Sequence, residues 1–337
     1  MRARFSRTLP VIAAAATALV ILSGCSASSP ETESSSDELL GSVDTMFGQI
    51  DVPAVDGELK VVALGWSDAE MALALGIKPI AVFDWQSFGE DNKGVGPWAT
   101  DLFGDETPVV IPWSADELNY EQLEVLDPDV ILNTRSANNE AQFERLSEIA
   151  PTVFGPEGSG AYTTAWDVQM TSVSEALGLA DEGQDKITEV KDAIAAAKTD
   201  NPEFEGKSVA SIGTSETLYY AYMPGDGRYD LLEQIGFENA EAITAAATGS
   251  FYIEVPFEQV SIFESDVAVV LPLAGTIADA EADTLLGSLD VVKDGRAVYV
   301  DPASDLAGTF SASSVLSIPL TLELLVPQLK DAAAELG

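Results

Sequence analysis

Apolar positions along the chain come in short unbroken runs set apart by stretches of helical spacing. LKVVALG (59–65) has the pattern of a strand buried on both faces. KPIAVFDW (78–85), PVVIPW (108–113) and DVILNTR (129–135) repeat it, with TVF (152–154) as a shorter fifth run. Ser67-Asp68-Ala69-Glu70 reads as a capping box that opens a helix closing on Gly76. Strands alternating with helices predict a mostly parallel sheet covered on both faces.

The spacing changes from Asp181 to Lys198, where Ile187, Val190, Ile194 and Ala197 form one helical stripe with Asp181 as the expected N-cap. Eighteen residues of helix reach ~27 Å, the length of a strut. The alternation then restarts with SVASIG (208–213), the helix RYDLLEQIGF and the strands FYIEVP, DVAVVLPL and AVYVD. The pattern predicts two α/β lobes joined by a helix, over 57–165, 166–205 and 206–337. One stretch occurs in both lobes. YEQLEVLDPDVIL (120–132) returns 137 residues later as FEQVSIFESDVAV (257–269), with Glu121/Glu258, Gln122/Gln259, Asp129/Asp266 and Val130/Val267 identical. Each copy reads as a helix leading into a strand.

Length and composition fit two buried cores: 337 residues, 46% hydrophobic and 21% charged. The apolar run Leu9–Leu22, preceded by Arg2, Arg4 and Arg7, is short for a membrane span and has the layout of a secretory signal over 1–24. It ends in Leu22-Ser23-Gly24-Cys25, which resembles the bacterial lipoprotein signal. Cys25, the single cysteine, is then lipidated and becomes the first residue of the mature chain. Residues 25–56, rich in Ser, Asp and Glu, read as a flexible tether.

Removing residues 1–24 takes three arginines and no acid, leaving 13 basic side chains against 56 acidic ones. Such a surface repels phosphate backbones, so no nucleic-acid partner is expected, and membrane attachment falls to the lipid alone. The absence of histidine removes Ser-His-Asp and Cys-His catalysis and the common metal ligand sets.

Ligands of open α/β sheets sit beyond the carboxyl ends of the strands. In the first lobe those exits carry Trp66, Trp85, Trp113 and Arg135. The corresponding region of the second lobe carries Tyr219, Tyr220 and Tyr222, with Arg228 nearby in GDGRYD, where it reads more readily as a surface loop residue. Aromatic rings with a few cations suit a large ligand with a polar centre, although each tryptophan taken singly is equally a core residue.

GWSDAEMALALGIKPIAV, YEQLEVLDPDVIL, LSEIAPTV, DLLEQIGFENA, FEQVSIFESDVAV and LDVVKDGRAVYVD, in that order from about 57 to 330, resemble the substrate-binding lipoproteins of ABC importers for iron–siderophore complexes. Vitamin B12-binding proteins share that structural class. The resemblance implies two Rossmann-like lobes on a single rigid helix. It also implies a monomer anchored on the extracytoplasmic face of the cell membrane, with a permease and its ATPase as partners and a ferric siderophore as ligand. In that family the glutamate of each repeat meets permease arginines, and Glu121 and Glu258 match those positions; each is also an acid of the kind a helix's first turn favours. With few cations to meet a highly anionic catecholate, a neutral or cationic hydroxamate complex is expected, with Arg135 donating to iron-bound oxygens. No catalytic residue, no direct metal ligand and no covalent cofactor beyond the lipid on Cys25 is expected. Haem, with Tyr219 or Tyr222 as ligand, or cobalamin stands as the alternative, and an envelope enzyme ranks behind both.

Overall fold

The computed structural model describes residues 38–113 and 118–336. The signal peptide read over 1–24, the lipidated Cys25 and the tether up to residue 37 lie outside the described residues.

A hairpin of β1 (Leu39–Thr45) and β2 (Gly48–Pro53) precedes the first lobe. These residues lie in the stretch expected to be tether. The hairpin is docked, because Val43 and Val52, on alternating positions facing one way, are buried in the main core. A Cβ on Gly41 would come within 2.0 Å of the Glu175 carbonyl oxygen, so only glycine permits this approach. The Ser/Asp/Glu composition hides the signal that was present, Val43-x-Thr45 and Ile50-x-Val52 about a turn containing Gly48.

The first lobe contains β3 (Val61–Ala63), α1 (Asp68–Ala74), β4 (Ala81–Asp84), α2 (Pro97–Thr100), β5 (Val109–Pro112), α3 (Tyr120–Leu126), β6 (Val130–Asn133), α4 (Glu140–Ser147) and β7 (Thr152–Phe154). Its sheet has the order β5-β4-β3-β6-β7 and every pairing is parallel. All five carboxyl ends therefore reach one edge. Ser67 does not cap α1 as expected. It lies in the left-handed region and its Oγ donates instead to the Ala312 carbonyl, 2.8 Å away.

Helices α5 (Trp166–Ala176) and α6 (Ala180–Asp200) carry the chain to the second lobe. The 21 residues of α6 reach about 31 Å. It begins just before Asp181, because the turn at Gly178 lets Leu179 bond back to the Ser174 carbonyl; Asp181 sits in the first turn rather than at the cap. Its stripe of Ile187, Val190 and Ile194 belongs to a core that also contains Val61 and Val130 of the first lobe and Val209 and Val267 of the second. One close-packed interior thus runs behind both lobes and stiffens their junction.

The second lobe holds β8 (Ser208–Thr214), β9 (Tyr219–Tyr222), α7 (Gly227–Gln234), β10 (Glu238–Asn239), α8 (Glu241–Ala245), β11 (Tyr252–Val255), β12 (Val267–Pro272), α9 (Ile277–Glu281), α10 (Asp290–Lys293), β13 (Ala297–Tyr299), α11 (Asp305–Ala312) and α12 (Ser317–Ala334). Its sheet order is β11-β9-β8-β12-β13, with β10 also on β8. Unlike the first sheet it is mixed, since β9 runs antiparallel to both β8 and β11. The repeated stretch is not a second α-helix: Phe257–Phe263 is 3₁₀, broken at Gln259.

Candidate functional site

A buried carboxylate builds the first-lobe edge. Asp68 accepts from the Gly65 and Thr134 amides at 3.0 and 2.9 Å, from Gln169 Nε2 at 2.7 Å, and from the Thr134 hydroxyl. Burial raises its pKa against the pull of these donors. A Cβ at Gly65 would stand 2.2 Å from the carboxylate, so the turn requires glycine there. These bonds knit the end of β3 to the end of β6. Gln169 also holds the Trp66 carbonyl, and the Trp66 amide donates to the Arg135 carbonyl at 2.9 Å. Trp66 and Arg135 are thereby set side by side, with the guanidinium carbon 5.7 Å from the indole centroid.

The remaining exits extend this wall. Trp85, just past β4, stacks on Trp66 with centroids 4.6 Å apart and planes at 10°. Tyr162, from the loop after β7, also stacks on Trp66, at 4.4 Å. Trp113, just past β5, stands 6.4 Å from Trp66 and is 50% exposed. Trp98 and Phe88 complete the wall edge to face. Trp98 is oriented by Glu70, which accepts from its Nε1 at 2.9 Å and from the Ser314 hydroxyl. Burial pushes the Glu70 carboxyl up to about 7 against both bonds. Sequence reasoning missed Tyr162, Phe88 and Trp98; of these Phe88, just past β4, and Tyr162, in the exit loop of the fifth run, lay where the strand-exit rule points, and Trp98, in α2, did not.

From the second lobe, Tyr222 and Arg228 reach the same cleft. Arg228 is no surface loop residue. It lies in α7 with its side chain 14% exposed, 3.5 Å above the Tyr222 ring. Its Nε and Nη2 bond both oxygens of Asp226 at 2.8 and 2.7 Å. Burial disfavours its charge, but Asp226 and Tyr222 outweigh that and raise its pKa. Tyr222 is itself pushed up to about 12, chiefly by burial.

Tyr219 and Tyr220 do not join them. Side chains alternate along β9, and Tyr219 shares the face of Ala221, which packs into the second-lobe core; its hydroxyl donates to Asp283 at 2.6 Å. Tyr220 packs on Tyr252 across the β9–β11 pair.

The assembled cleft has a volume of about 800 Å³, and its far side is the segment Pro302–Ser311 leading through α11. The lobes are tied at its base. Arg135, 5% exposed, donates from Nε to the Tyr162 carbonyl and from Nη1 to the Ala312 carbonyl, each at 3.1 Å. Its pKa is lowered, first by burial. Among the described residues, Nη2 of Arg135 has no hydrogen-bond partner, whereas Arg228 is held by Asp226 and by Tyr222. Asp226 neutralises one guanidinium, so the cleft presents little net positive charge. Among the described residues no cluster of three or more Cys, His, Asp or Glu is arranged to hold a metal ion.

Two lobes of largely parallel sheet, a shared core behind them and a large aromatic cleft between them define a two-lobed ligand-binding protein. The chain belongs to the Peripla_BP_2 family of periplasmic binding proteins, whose profile it matches over residues 61–302. It is similar to the Fe(3+)-citrate-binding protein YfmC of Bacillus subtilis (strain 168), with 25% identity over 305 residues covering 89% of this chain and 91% of that protein. A periplasmic solute binding protein of Mycobacterium smegmatis str. MC2 155 superposes at a TM-score of 0.74 with 29% identity, covering 87% of this chain and 98% of that one. PiaA of Streptococcus pneumoniae TIGR4, an iron uptake ABC transporter substrate-binding protein, has been solved in complex with ferrichrome. In that complex it superposes at 0.71 with 25% identity, covering 87% and 99%. All three relatives are named as binding proteins.

Proposed function

We infer that the protein is the extracytoplasmic binding component of an ABC importer, anchored through a lipidated Cys25 and acting as a monomer. It captures a ferric siderophore in the cleft and hands it to the permease. The observation that carries this is the pairing of an indole wall, Trp66, Trp85, Trp98 and Trp113, with two guanidiniums, Arg135 and Arg228, that line the same cleft. Rings cover a ligand's carbon skeleton while guanidinium protons meet oxygens bound to iron.

The favoured ligand is a hydroxamate complex. A triply charged catecholate, or the carboxylate-rich complex in the name of YfmC, calls for more cation than Arg135 and a compensated Arg228 supply. Haem gains no support, since Tyr219 is committed to Asp283 and the raised pKa of Tyr222 opposes the phenolate that iron ligation requires. Glu121 and Glu258 serve as the permease contacts. Both are exposed, and among the described residues neither carboxylate has a hydrogen-bond or salt-bridge partner, as expected of acids kept for another molecule.

Tryptophan fluorescence titrated with ferrichrome, ferric citrate and a ferric catecholate tests the ligand class. Saturable quenching by ferrichrome at the lowest concentration is expected; tighter binding of citrate or catecholate would overturn the hydroxamate assignment.

A further inference from the structure

Behind the first-lobe wall lies a second cavity of about 190 Å³ that shares Trp66, Trp113 and Arg135 with the cleft. Its other walls are of mixed polarity. Leu64, Ile111 and Leu118 supply much of the surface, and the amide pair Asn133–Gln142, bonded at 3.1 Å, supplies a polar patch. A cavity of about 150 Å³ lined by apolar side chains accommodates a benzene ring, so this one has the volume for a ring or a chain of about six carbons. Closed aromatic packing against Trp66 would suffice for a wall, and it does not require a chamber behind it. A second observation points the same way. Nε1 of Trp66, in the wall common to both cavities, is buried without a hydrogen-bond partner among the described residues. A buried N–H left unpaired is costly, and an acceptor arriving with the ligand would relieve it.

We propose that this chamber is a subsite for one amide-linked acyl arm of the ligand. The arm's carbonyl accepts from Trp66 Nε1 and its short hydrocarbon chain or ring fills the space among Leu64, Ile111 and Leu118. The metal-bearing head stays in the cleft against Arg135 and Arg228. The ligand class narrows accordingly to ferric hydroxamates that carry an acylated side arm. This rests on the ferric-hydroxamate reading of the cleft.

The test compares two ferric complexes of one linear tris-hydroxamate whose terminal amine is acylated with either an acetyl or a hexanoyl group. Binding to the folded protein is measured by calorimetry. Each buried methylene strengthens binding about fourfold, so the hexanoyl complex should bind at least tenfold more tightly than the acetyl one. Leu118→Trp fills the chamber from its loop wall and Ile111→Phe from its strand wall; in each, the ratio of the two affinities should fall to near one. Either variant serves alone if the other does not fold. A wild-type ratio near one, or a ratio kept in a folded filled variant, overturns the chamber while leaving the cleft reading intact. If neither complex binds wild-type protein, the ferric-hydroxamate reading fails and the subsite fails with it.

Discussion

In the first lobe the repeated stretch begins with an α-helix whose cap, Asn119, accepts from the Gln122 amide at 3.1 Å; in the second it begins after Pro256, which offers no side-chain acceptor, and the turn tightens to 3₁₀. What the two copies share is a stitch at the strand. Asp129 accepts from the Lys60 amide at 2.8 Å, and Asp266 accepts from the Ser208 amide at the same distance. Each aspartate pins the start of its own strand to the start of the central one. The identical aspartates are explained by these bonds inside the molecule, and among the described residues the identical glutamates, Glu121 and Glu258, have none.

The lobes differ most at the cleft edge, which the first lobe holds with buried acids. Asp68→Ala should therefore have the largest effect. It removes four buried hydrogen bonds and should cost about 4 kcal/mol or more of unfolding free energy in urea denaturation. A loss under about 1 kcal/mol would mean that the first-lobe edge does not depend on this hub.

Glu70→Gln comes next, and its sign depends on pH. Folding raises the carboxyl from 4.5 to about 7, so the folded chain holds that proton more tightly than the unfolded one. Wild-type stability from this group is full below pH 4.5 and declines as the pH rises through 7. Glutamine cannot ionise and can still accept from Trp98 and Ser314. The variant should match wild type at pH 4 and exceed it by up to about 3 kcal/mol at pH 8. A difference independent of pH would show that folding does not shift the Glu70 carboxyl.

The shared stitch is tested by comparing Asp129→Ala with Asp266→Ala. Each should cost about 1–2 kcal/mol, with Asp266 the more costly because it also accepts from the Ser208 hydroxyl at 3.0 Å. A cost in one lobe alone would break the equivalence of the two copies. The smallest effect is expected of Tyr219→Phe, which removes the bond to Asp283: about 1 kcal/mol of stability and no change in ferrichrome affinity. A weakened ligand would return Tyr219 to the cleft.

How much of this was legible follows from the range of each interaction. Runs such as LKVVALG and DVILNTR announce strands buried on both faces, and parallel strands must all leave at one edge. The placement of Trp66, Trp85, Trp113 and Arg135 was therefore written in the local pattern. In the second lobe the same reasoning did not separate Tyr219 and Tyr220 from Tyr222, because an antiparallel partner and a period of two decide which face each ring takes. The hairpin over 39–53 was hidden by its polar composition, since its two buried valines count only once α5 lies beneath them. Local periodicity determined the elements and the direction of their ends, because side-chain alternation and helical spacing are properties of adjacent residues. Tertiary structure alone brought Trp98 to Glu70, Glu70 to Ser314 and Ser67 to Ala312, because contacts across up to 245 residues exist only after separate elements have packed together.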